Sequence, residues 1–213
     1  MESKNIKIIT LVALVAVGGM IFAVVSTSNL GMIQNGNASN KEDCLPSDPA
    51  VITADYEVKR PQLSAMPASF DLQAIDQPGG VVIMYYADHS LCPFTDSFDG
   101  QIDKGAIVVT VSKPEGLAKD SAEFQKKELE YYASQKETIA KVQPFSINGY
   151  EGVGWEPFTG KDVVIIKGEV SSETPIKMPG MIRFYNDNDG TLYTITAHQP
   201  LETLTAIAKT MTP

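Results

Sequence analysis

Cysteine, histidine and tryptophan are scarce in this 213-residue chain, which has two, two and one of them. Two cysteines exclude a disulfide-dense scaffold, and two histidines exclude a zinc array built from repeated Cys and His ligands. The chain has no G-x-S-x-G elbow and no H-E-x-x-H helix, so two common hydrolase signatures are missing. Basic residues are also few, 17 Lys and Arg against 26 Asp and Glu, and an acidic surface repels nucleic acid and anionic lipid headgroups. Only one long apolar run occurs, which excludes a polytopic membrane protein. No internal repeat is present. With 43% hydrophobic and 20% charged residues, the composition is that of a globular protein with room for one anchor and one domain.

The apolar run is Ile8 to Val25, 18 residues without a charge. As a helix it reaches roughly 27 Å, close to the hydrocarbon thickness of a bilayer. Lys4 and Lys7 precede it and the next charge is Lys41. The positive-inside rule then places residues 1–7 in the cytoplasm as a short tail and everything after the run outside. A cleaved signal sequence, with Ser26 and Ser28 as small residues before the cut, is the competing reading. Both readings place residues 26–213 outside the cytoplasm, on the cell membrane or secreted, with about ten net negative charges. Gly18-Gly19 is a point of close approach for a second helix in the membrane.

In an oxidising compartment Cys44 and Cys92 suggest one disulfide. Its loop of about 48 residues is worth on the order of 4 kcal/mol in the chain-entropy model. Two free thiols, or a metal site using His89 and Cys92, are the alternatives. The metal reading needs further ligands from far along the chain. The residue pattern therefore leads us to expect neither a metal nor a cofactor.

Residues 26–50 are rich in Asn, Ser and Gly and read as a flexible extracytoplasmic stalk, with a glycosylation sequon at Asn37. A single α+β domain follows over 51–213. Ser69–Asp76 alternates as a half-buried strand, Pro78-Gly79-Gly80 turns, and Val81–Ala87 is a second strand. Residues 88–104 read as a long loop, and Gly105–Ser112 as a third strand. Lys119–Val142 has no Gly or Pro and predicts the longest helix. Its inner face is expected to carry Ala122, Leu129, Tyr132, Ala133, Ile139 and Ala140, with Phe124 and Tyr131 flanking and Asp120 or Ser121 as the cap. Phe145–Ile147 and Tyr150–Trp155 flank Asn148-Gly149, the signature of a type I′ hairpin. Asp162–Val170 predicts one more strand. Met181–Tyr185 and Thr191–Ala197 predict a hairpin around Asn186–Gly190. Pro200–Met211 is an amphipathic helix with Leu201, Leu204, Ile207, Ala208 and Met211 on one face. Hairpin connections predict a mainly antiparallel sheet, with both helices on its inner face and the other face open.

The candidate chemistry is thin. Asn186–Gly190 is acidic, but alignment on Gly190 puts Tyr185 and Thr196 where an EF-hand needs acidic ligands, so it reads as a turn. His89 and His198 have no adjoining nucleophile motif beyond Ser90 and Cys92. Met66, Met178 and Met181 are soft atoms whose ordinary use is packing. Glu128 and Glu130 diverge on a helix, and Glu151 and Glu156 only flank Trp155. The most suggestive group is aromatic: Tyr85, Tyr86, Phe94, Phe98, Trp155 and Phe158 are candidates to line a groove between sheet and helix for an apolar ligand.

The segments Leu63–Leu72, Val81–Tyr86, Val142–Gly152, Ile182–Ala197 and Leu201–Met211 together resemble extracytoplasmic domains found behind single membrane anchors in bacterial sporulation and anti-sigma-factor proteins. Those domains are distantly similar to the lipoprotein-carrier and sigma-regulator half-barrels. The resemblance implies a curved antiparallel sheet packed by helices, whose groove in the half-barrels binds acyl chains or hydrophobic peptides. It implies no catalytic residues. The expected function is a non-catalytic, membrane-anchored binding or sensor module for an apolar small molecule or protein partner, with no nucleic acid. A structural subunit of a cell-surface complex is the alternative, and a metal carrier or enzyme the third reading.

Overall fold

The computed structural model describes residues 9–10, 51–91, 98–134, 141–166 and 169–212. The chain divides into two compact units. The larger comprises Cys44–Phe158 and Lys177–Pro213, and the smaller Met1–Asp43 and Thr159–Ile176. Residues 159–176, which the sequence placed within 51–213, fall in the smaller unit.

The smaller unit contains three strands, β1 (Ile9–Thr10), β7 (Phe158–Ile166) and β8 (Glu169–Met178), in the order β1-β7-β8. β1 runs antiparallel to β7, with Ile9 opposite Ile165 and Thr10 opposite Val164. The segment expected as one strand over 162–170 is thus divided between β7, which ends at Ile166, and β8, which begins at Glu169. The Lys161 ammonium lies 2.6 Å from the Glu173 carboxylate across this pair. Ile9 and Thr10, the described part of the run expected to be a membrane helix, are extended; the rest of 8–25 lies outside the described residues, as do the tail 1–7, the stalk 26–50 with Asn37, and Cys44 and Cys92. Among the described residues no helix is long and apolar enough to cross a membrane.

The larger unit is built on a seven-stranded sheet. Its strands are β2 (Asp71–Asp76), β3 (Val82–Ala87), β4 (Ile107–Ser112), β5 (Gln143–Ile147), β6 (Tyr150–Trp155), β9 (Gly180–Asn186) and β10 (Thr191–Ala197). They lie in the order β2-β3-β4-β10-β9-β6-β5, antiparallel throughout. Three helices join them: α1 (Phe98–Asp103), α2 (Ser121–Ser134) and α3 (Leu201–Lys209). The α+β class with an antiparallel sheet is as the sequence implied. Helix α1 is new, inside the stretch read as a loop. At Asn148-Gly149 the backbone has φ of 48° and 91°, the left-handed pair a type I′ turn requires. That turn sets the register Ile147 opposite Tyr150 and Phe145 opposite Gly152.

Both faces of the sheet are covered, which corrects the expectation of an open face. On β9, Ile182 and Phe184 point to one face and Arg183 and Tyr185 to the other, as strand alternation demands. The first face holds Val82, Met84, Tyr86, Val109, Val111, Tyr193 and Ile195 in one apolar core with Leu204, Ile207 and Ala208 of α3. On the second face α2 sets Phe124 against Tyr185 and Leu192. At the other side of that face, Ile102 of α1 packs with Tyr85, Leu91 and Val108. Every residue of β9 and β10 is consequently buried, the pattern of strands sandwiched on both sides.

The inner face of α3 is the predicted one, with Leu204, Ile207, Ala208 and Met211 buried and Leu201 half-buried. That of α2 is not. Phe124 and Glu128 are buried and Leu129 and Tyr132 half-buried, whereas Ala122 and Ala133 are exposed. Ile139 and Ala140 lie outside the described residues. A charged residue faces inward here because Arg183 on β9 meets it.

Two glycines on β6 let the first face close. A Cβ on Gly152 would collide with the Arg183 carbonyl oxygen, and one on Gly154 would sit 3.1 Å from Leu201 Cδ1. Small residues there allow β5, β9 and α3 to approach.

Candidate functional site

The first face is not covered by α3 alone. Residues 51–62 cross the remainder as a strap without regular secondary structure, bent at Asp55–Tyr56. Ile52, Ala54, Tyr56 and Val58 are half-buried against the sheet core, while Val51, Thr53, Asp55 and Glu57 are exposed. This is the period-2 pattern of a strand, yet among the described residues the strap enters no sheet pairing. Side chains hold it. Gln77 accepts from Thr53 N at 2.7 Å and its amide donates to the Val51 carbonyl at 3.1 Å. The Tyr56 hydroxyl reaches the carbonyl oxygens of Gly80 and Val111 at 2.8 and 2.9 Å. At the far end, Gln62 N donates to Thr210 Oγ1, just past α3. A cleft of about 300 Å³ opens beside the strap between Thr53–Asp55 and Gln77, Gly80 and Val82.

Beneath the strap the floor is apolar. Val82, Met84, Val109, Val111 and Tyr193 are at most 1% exposed. The Tyr193 ring stacks on Phe184 with centroids 5.0 Å apart. Burial pushes the hydroxyl of Tyr86 up to about 12 and also raises that of Tyr193. Both therefore stay neutral across the physiological range.

The second face carries a large buried charge pair. Arg183 is 2% exposed, and its Nη1 lies 2.5 Å from Glu128 Oε2. Arg183 Cζ sits 5.9 Å from the Phe124 ring centroid, and its Nε and Nη2 find no hydrogen-bond partner among the described residues, nor does the Tyr132 hydroxyl. Burial raises the Glu128 carboxyl above its ordinary range, and Arg183 opposes that shift. The pair fastens α2 to β9. Farther along α2, Tyr132 stacks edge-on against Trp155 at 5.1 Å, and Trp155 Nε1 donates to the Pro179 carbonyl.

Among the described residues, the aromatic candidates Tyr85, Tyr86, Trp155 and Phe158 do not converge. Tyr85 and Tyr86 are neighbours on one strand and so point to opposite faces, each into a separate core. Trp155 is buried under α2 on the second face, and Phe158 is half-buried at the start of β7. Phe98 opens α1, and Phe94 lies outside the described residues. The groove they were to line is replaced by packing, because successive strand residues cannot share a wall. Alternation within Val81–Ala87 already carried that signal.

The remaining candidates serve structure. His89 pairs with Asp88 at 2.7 Å, and that bond holds the Asp88 carboxyl below the usual range. His198 pairs with Asp103 at 3.1 Å, tying the end of β10 to α1. Met66 packs in the first-face core, whereas Met181 lies opposite Trp155 on the second-face register. Among the described residues no three His, Cys, Asp or Glu converge as metal ligands. Glu130 is exposed while Glu128 is buried. Glu151 accepts from Gln125, and Glu156 accepts from Leu201 N at the start of α3. The Asn186–Gly190 turn spends its side chains on bonds within the fold: Asp189 accepts from Thr191 N, and Asp187 accepts from Ser121 N at 2.9 Å, beside the expected cap Asp120, whose carboxylate accepts from Glu123 N at 2.8 Å.

The sheet edges are blunted. β2 carries a bulge between Leu72 and Ala74. There, Gln73 Nε2 bonds the carbonyls of Asp71 and Ala87. β5 carries Pro144, which lacks an N–H to offer another strand. The strapped face is thus the feature that best fits a binding surface. Compared with known family models, curated proteins and solved structures, the chain matches none.

Proposed function

We propose that this protein is a membrane-anchored, extracytoplasmic binding or sensor module without catalytic activity. The observation that carries the reading is the strap: the segment joining residues 26–50 to the sheet lies directly across the sheet's first face. Occupancy of that face and the disposition of the tether are therefore linked through one stretch of chain. The uncharged run Ile8–Val25 after Lys4 and Lys7 supports the anchor and its orientation. The sequence resemblance to domains behind single anchors points the same way.

One observation favours a second reading. Ile9–Thr10 pair with β7, and in that state the start of the apolar run is seated on the chain's own hairpin rather than in a bilayer. Fractionation of cells expressing the full chain, with protease added to intact cells or spheroplasts, decides between them. The proposal expects recovery with the membranes, resistance to carbonate extraction and digestion of the C-terminal domain from outside. Recovery in the soluble fraction would sink the anchor.

A further inference from the structure

We propose that the face formed by β3, β4 and β10 is a docking site for an extended peptide with apolar side chains at every second residue, and that residues 51–62 occupy it in cis. This deepens the binding-module reading by naming the partner's chemistry, and it rests on that reading. Three observations carry it. The strap has the alternation of a strand, Ile52, Ala54, Tyr56 and Val58 inward, but among the described residues no ladder of backbone bonds to a neighbour. Its seat is a wholly buried apolar floor, while the strap itself stays half-exposed and leaves a cleft beside it. The polar groups along the path are those a peptide satisfies: the Gln77 amide, the carbonyls of Gly80 and Val111, and the Thr210 hydroxyl. A peptide-like chain supplies donors and acceptors to those groups, which an acyl chain has no atoms to match.

Competition follows from the geometry. A segment held by side-chain bonds at its two ends and one tyrosine between them opens without breaking the sheet, as local openings do. An incoming peptide of the same alternation takes the vacated seat. Release of the strap lengthens the tether by up to about 40 Å, at roughly 3.3 Å per extended residue over twelve residues. Displacement on one side of the domain is thereby converted into reach from the membrane.

The test uses the full chain in detergent and a fluorescent peptide of the sequence of residues 51–62. A second peptide of the same composition has its apolar and polar positions shifted by one. The variant I52S/Y56S removes the two largest anchors of the strap. Fluorescence polarisation should show the variant binding the first peptide at least tenfold more tightly than wild type does, and at least tenfold more tightly than it binds the shifted peptide. Equal or absent binding of both peptides to a variant whose thermal transition is retained would overturn the proposal, while recovery of the chain in membranes would leave the anchored-module reading intact. Should the variant fail to fold, hydrogen exchange on wild type decides. Strap amides exchanging at least tenfold faster than those of β3 and β4 support the proposal; exchange of all three in one global event overturns it.

Discussion

Removing Glu128 tests whether the buried pair on the second face is held for stability or merely tolerated. Arg183 is 2% exposed and bonded to Glu128 through Nη1 alone, with Nε and Nη2 unpaired among the described residues. Glu128→Ala leaves the guanidinium buried without a counter-charge, and breaking such a pair costs about 3–5 kcal/mol. For a domain of this size 1 kcal/mol moves Tm by about 2–4 °C, so Tm should fall by roughly 6–20 °C if folding is two-state. Replacing both partners by apolar residues, Glu128→Leu with Arg183→Met, removes the two charges and their desolvation together. Because the guanidinium is incompletely bonded, that double variant should lie within about 1 kcal/mol of wild type or above it. Urea unfolding followed by Trp155 fluorescence is the assay, since the single tryptophan stacks on Tyr132 of the same helix that carries Glu128. A loss below about 1 kcal/mol for Glu128→Ala, or a double variant less stable than Glu128→Ala, would refute this account of a buried, under-satisfied charge.

Other outcomes follow from the same structure. Gly152→Ala places a methyl against the Arg183 carbonyl and 2.9 Å from Phe184 Cβ. Backbone must shift, and a loss of about 1–3 kcal/mol or more is expected by chemical denaturation. Asp187→Ala removes the acceptor of Ser121 N and should cost about 1 kcal/mol, with the exchange of the first α2 amides rising while β3 stays protected. Tyr56→Phe keeps the ring in its seat but deletes the bonds to Gly80 and Val111, so strap amides should exchange faster with little change in Tm.

Local pattern alone determined much of this protein. Alternation and β-rich runs placed β3, β4, β9 and β10; Asn148-Gly149 specified a hairpin turn because few residues tolerate positive φ; and the 3.6-residue spacing of Leu204, Ile207, Ala208 and Met211 identified the buried face of α3. What only the tertiary structure decided is where partners distant in sequence meet. The sequence placed Glu128 only as diverging from Glu130 on a helix; that it turns inward depends on β9 setting Arg183 opposite it, since a charge is buried only with its counter-charge. Tyr85, Tyr86 and Trp155 read as one aromatic group because they are dense in sequence, but alternation and strand order send them to different cores. Residues 51–62 carried a clear period-2 signal that went unread, since nothing nearby in the chain tells a strand that pairs at a sheet edge from one that lies across a sheet's face. That choice belongs to the apolar floor of β3, β4 and β10, which forms only when β10 returns from the far end of the chain to pair with β4.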